Sequence, residues 1–145
     1  MSRWRQRRSA GSAAIEMAVL MPMFLALFTA GVVLGRTGTA ISAVEMAAYD
    51  GARTASLARS AASAHSLATA TVADSLASQG LSCVGGPAVE LDAAGFSQPV
   101  GTPASVTVRV TCWVTYGDVD LVGVPADRPI TASFTSPLDQ YRVRR

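Results

Sequence analysis

The sequence predicts an α+β protein, in which one long N-terminal helix crosses a membrane with its first half and packs its second half on a small antiparallel sheet. Three observations predict this. Met17 to Gly35 is a run of nineteen residues without a charge; as a helix it rises about 28 Å, close to a hydrocarbon core of about 30 Å. Ala40 to Ser78 holds no proline and a single glycine, Gly51. After Gly85-Gly86-Pro87 the apolar pattern changes to a period of two. The expected boundaries are 1–11 for a basic leader, 12–35 for a membrane helix, 36–80 for an Ala/Ser-rich helix outside the membrane and 81–145 for a small β region.

Charge sets the orientation. Arg3, Arg5, Arg7 and Arg8 precede Gly11, while all ten acids follow it. The formal charge of +2 therefore resides in a tail, and the rest of the chain carries eight arginines against ten acids. A folded region of that balance lacks the basic face of a nucleic-acid binder. Arginines before an apolar run favour the cytoplasmic side, so the N-terminus is expected inside and the chain after Gly35 outside, in a single pass of the cell membrane. Arg36 on the far flank is one charge against four. An exported region can keep a disulfide, and Cys83 and Cys112 both lie in it. They are expected to pair, the alternative being two buried thiols.

Glu16 stands at the mouth of the uncharged run. A carboxylate there stays ionised at the headgroup level or by meeting a cation on an assembly partner. Its own nearest basic residue upstream, Arg8, is eight positions away, too far for a good same-face helical pair. The plainer reading is an interfacial acid at the end of an anchor. Three fates are open to the N-terminus: a cleaved signal peptide, a plain signal anchor, or cleavage on the cytoplasmic side after Gly11. Within the run, Pro22 removes one helical hydrogen bond and is expected to kink the helix. Gly31 and Gly35, continued by Thr39, form a small-residue stripe along which membrane helices approach closely.

From Arg36 onward one helix is expected to end near Gln79-Gly80, with a break or hinge at Gly35 to Gly38 or at Gly51. Ile41, Val44, Ala48, Ala52 and Ala55 share a side, and Asp50 can support Arg53 three residues on. Ala55 to Gln79 holds nine alanines and six serines, with Leu57, Leu67, Val72 and Leu76 as its few large apolar anchors. So few large side chains bury little area, which leaves docking either weak or backbone-close. In the β region Val89 and Leu91 mark a short strand. Val106, Val108, Val110, Cys112 and Val114 share the apolar face of the clearest one, Ala104 to Tyr116. That face puts Cys112 within reach of Cys83. Ile130, Ala132 and Phe134 mark a third strand after a turn at Pro125 to Pro129. Gly117 to Pro125 reads either as a loop covering the sheet edge or as a protruding apolar contact, and Gln140 to Arg145 as a frayed tail.

No constellation for chemistry is present. The sequence has no phosphate-cradling glycine loop, no G-x-S-x-G, no H-E-x-x-H and no C-x-x-C. His65 is the sole histidine, so a metal site lacks a ligand set. Asp118 and Asp120 have no partner acid or ligand set beside them. The expectation is a non-enzymatic protein with no cofactor, no metal and no small-molecule substrate.

Gly11-Ser12-Ala13-Ala14-Ile15-Glu16 resembles the processing site of class IV prepilins, in which a short basic leader ends in Gly and the mature helix carries Glu at its fifth position. Together with Met46-Ala47-Ala48-Tyr49-Asp50-Gly51-Ala52-Arg53, the stretch of about residues 8–59 resembles the TadE/TadG-like family of tight-adherence (Flp-type) pilus assembly proteins. Val119 to Pro125 and Ser136 to Arg142 look like its actinobacterial branch. The resemblance implies a pilin-like shape and a pseudopilin-like minor component of a cell-surface pilus or a related type II/IV secretion assembly. It implies cleavage by a prepilin peptidase, with Gly11 supplying the scissile carbonyl and Ser12 the new N-terminus. It also implies that Glu16 pairs with the terminal amine of a neighbouring pilin subunit. Ser12 stands where many pilins have Phe, and Met17 where several members have an aromatic residue. The competing expectation is a membrane-tethered exported protein whose outer region binds something else, with no filament role.

Overall fold

A computed structural model describes residues 3–115 and 127–141, with side chains described from Ala13 onward. The element order is α1 (Arg3–Leu57), α2 (Ala61–Ser78), β1 (Ala88–Asp92), β2 (Ser105–Thr115) and β3 (Asp127–Pro137), with a short 3-10 turn at Ala94–Ser97. The chain divides into two units, Met1–Thr37 and Gly38–Arg145, and α1 contributes to both. The segment Gly117 to Pro125 and residues 142–145 of the expected tail lie outside the described residues.

The first unit is a single helix. It runs without interruption through Pro22 and past Gly35 to Gly38. Its polar side chains bond to their own helix: the Thr29 hydroxyl donates to the Leu25 and Ala26 carbonyls at 2.8 and 3.0 Å. Thr37 does the same to Val33 at 2.9 Å.

In the second unit, the expected single helix to Gln79-Gly80 is two helices. α1 ends at Leu57, and α2 starts after Ser60, whose backbone is extended (φ −141°, ψ 156°). Ser60 caps α2 in a reciprocal box: its hydroxyl accepts from the Ser63 backbone N–H at 3.2 Å, while the Ser60 N–H donates to the Ser63 hydroxyl at 3.3 Å. At the far end Gly80, with φ +69°, takes the left-handed position that closes a helix. Its N–H donates to Ala77 and the Leu81 N–H to Leu76, both at 3.0 Å. α2 runs back along the Gly38–Leu57 portion of α1. Ser75 donates to the Asp50 carboxylate at 2.9 Å, and the Gln79 amide reaches the Ala43 carbonyl at 3.4 Å. Asp50 thus bonds across to α2.

The packing is backbone-close. The stripe of α1 that faces inward is Ala40, Ala43, Val44, Ala47, Ala48, Ala52 and Ala55, and that of α2 is Ala64, Ala68, Val72 and Leu76. Ile41, Leu57 and Leu67, expected inside, are 41, 64 and 45% exposed. Gly51 lies at a close approach inside the continuous helix and serves packing, not hinging: a Cβ there would stand 2.8 Å from Val72 Cγ2 and 3.5 Å from Val108 Cγ1.

The sheet is antiparallel with order β1-β2-β3. Val106, Val108, Val110 and Cys112 are fully buried on its inner face, joined by Val114, Ile130 and Leu138. On the outer face Thr107 bonds Thr135 at 2.8 Å, and Thr111 bonds Thr131 at 3.0 Å, across β2 and β3. β3 begins at Asp127, so Pro129 lies inside a strand and not in a turn. Phe134 is only partly covered and sets its ring edge-on against Tyr49 at 4.7 Å.

Candidate functional site

The largest apolar surface of the described residues is on α1. Ile15, Met17, Val19, Leu20, Met21, Met23, Phe24, Leu25, Leu27, Phe28 and Leu34 are all more than half exposed, on every side of the helix. A helix from Ala13 to Leu57 has the length and composition to cross a membrane. An amphipathic helix of a water-soluble fold would show a stripe; this one is apolar all round and suits lipid or a bundle of other helices.

The residues singled out by sequence are distributed along that surface. Gly11 and Ser12 lie in the helical backbone near the start of α1. Glu16 lies one turn further, exposed. Pro22 lies inside the continuous helix, although it leaves the carbonyl of Ala18 without its usual donor. A Cβ on Gly31 or Gly35 would meet nothing within 4 Å, so the small-residue stripe is open. Small residues left open in this way are what another membrane helix uses for close packing.

Cys83 and Cys112 form a disulfide with a Cα–Cα distance of 5.1 Å. It ties the segment after α2 to the inner face of β2, where the Val84 N–H also donates to the Trp113 carbonyl at 2.8 Å. Among the described residues no group of three or more His, Cys, Asp or Glu could hold a metal. His65 is exposed on α2. Sequence reasoning missed two features: the Ser60–Ser63 box that turns the chain back, and the role of Gly51. The first carried a signal, since Ser with Ser three residues later can bond reciprocally at a helix start.

No curated protein and no solved structure matches the chain. Residues 11–53, which hold Glu16, the exposed apolar helix and the block ending at Arg53, match the family model described as TadE-like protein.

Proposed function

We propose that the chain is a TadE-like, non-enzymatic membrane protein that acts as a pseudopilin-like component of a tight-adherence pilus or a related secretion assembly. The observation that carries this reading is that the family match over residues 11–53 takes in both Glu16 and the run of exposed large apolar side chains from Ile15 to Leu34. The helix is a single-pass anchor with its N-terminus in the cytoplasm and residues 38–145 outside. Four arginines before the run support that orientation, and a disulfide in the second unit suits an oxidising compartment.

In this role a prepilin peptidase cuts after Gly11 and frees the amine of Ser12. Glu16 then meets that amine on a neighbouring subunit, a pairing that offsets the cost of holding a carboxylate at the membrane boundary. Pro22 bends the helix, and the Gly31–Gly35 face seats it against other assembly subunits. The test is the intact mass of the protein extracted from native-host membranes. A chain beginning at Ser12, lost in Gly11→Ala, is the expected result. Glu16→Ala is expected to leave processing intact while abolishing incorporation into the appendage. A full-length chain indifferent to both substitutions would overturn the reading.

A further inference from the structure

β3 is an edge strand, and its two prolines reveal which way its backbone faces. Pro129 lies opposite Trp113 and Pro137 opposite Ser105. Proline has no N–H, so neither can form the mutual hydrogen-bonded pair of an antiparallel ladder. The two are eight residues apart and therefore agree in parity. Residues 129, 131, 133, 135 and 137 turn their backbone polar groups away from β2. Among the described residues no strand pairs with this edge, which thus offers the N–H groups of Thr131, Ser133 and Thr135, with a proline closing each end.

A groove of about 660 Å³ runs beside this edge, between β3 and the part of α1 in the same unit. Met46, Tyr49, Ala132 and Phe134 supply its apolar lining, and Ser42 and Glu45 its polar rim. Glu45 is exposed and makes no ion pair with another described residue.

We propose that this edge and groove receive an extended strand from a different protein, apolar at alternate positions and carrying an arginine or lysine. Backbone pairing to Thr131, Ser133 and Thr135 fixes the strand, as in β-strand addition generally. Its residues opposite Ala132 and Phe134 turn into the apolar lining, because cross-strand partners share a face. Its basic side chain meets Glu45. That charge also selects the occupant. Two copies joined through β3 would bring two Glu45 carboxylates to one seam, and β1 presents Glu90 and Asp92. A docked helix would leave the three edge donors unmet.

The test places a photoreactive benzoylphenylalanine at Ser42 in the full chain, in native-host membranes, and maps the adduct by mass spectrometry. The expected adduct lies in a segment of another protein with alternating apolar residues and a basic one. Ser133→Pro removes the central outward donor without touching the β2 ladder, and is expected to cut the yield about tenfold. Glu45→Arg, at an exposed position, is expected to do the same. Adducts confined to lipid, to a membrane helix or to a second copy would overturn the proposal. So would no adduct, or a yield unchanged by both substitutions. The readout is independent of cleavage at Gly11, so its failure is distinct from failure of the proposed function.

Discussion

The two units use apolar residues in opposite ways. Along residues 13–35 the large side chains, Leu, Met and Phe, are all outside, and none of them is buried. In residues 38–141 the helical core is mostly alanine, with Val44, Val72 and Leu76 among it, while Ile41, Leu57 and Leu67 are turned out. The difference teaches that hydrophobicity alone does not decide burial here. Where α1 and α2 approach each other and β2 closely, as at Gly51, only small side chains fit and backbone proximity supplies the packing. Where the large apolar side chains are exposed all round the helix, as along residues 15–34, they suit an apolar surrounding.

The sharpest way to break this comparison is to charge the first unit. Leu27→Arg places an arginine in the middle of the uncharged run, at a cost of about 2.5–3.5 kcal/mol for insertion. The expected outcome is loss of the protein from alkali-washed membranes, whereas Leu67→Arg, on an exposed leucine of the second unit, is expected to leave it there. Next in size is the disulfide. Replacing Cys83 and Cys112 by alanine frees a loop of 29 residues and is expected to lower the stability of the second unit by about 3–4 kcal/mol in chemical denaturation. Gly51→Ala is expected to destabilise by roughly 1 kcal/mol net, since forcing Val72 aside costs about 1–3 kcal/mol and the gain in helix propensity returns up to about 1. Val72→Ala in the same chain should remove the clash, so the two changes together should cost less than their sum. Smallest is Ser60→Ala, expected to cost about 1 kcal/mol through loss of the α2 cap and visible as faster amide exchange in its first turn.

Much of this architecture was legible in the sequence, and for identifiable reasons. The uncharged run announced itself by length. The alternation from Val106 to Val114 gave both the strand and its buried face, and hence the reach of Cys112 to Cys83. Gly80 marked the end of α2 because only glycine takes its left-handed backbone cheaply. The turn at Ala58 to Ser60 was hidden because alanine and serine fill the whole stretch, and a capping serine looks like the serines around it. The inner stripe was read correctly at Val44, Ala48, Ala52, Ala55, Val72 and Leu76, and missed at Ile41, Leu57 and Leu67, large residues that turn outward. The sequence had nonetheless indicated backbone-close docking, which is what the alanines do. Pro129 read as a turn because proline is rare in strands, yet an edge whose N–H side faces outward accepts it. The groove beside β3 was not legible at all, since its walls come from residues some ninety positions apart.

The central claim is that residues 13–35 cross the membrane once and leave the second unit outside. Two single-cysteine additions test it in intact cells, read with a membrane-impermeant maleimide while the native cysteines remain joined. Ser66→Cys, exposed on α2, is predicted to label before lysis, and Ser9→Cys, placed in the Gly11→Ala chain so that the leader is kept, only after it. Labelling of Ser66→Cys only after lysis, or of Ser9→Cys before it, would contradict the account.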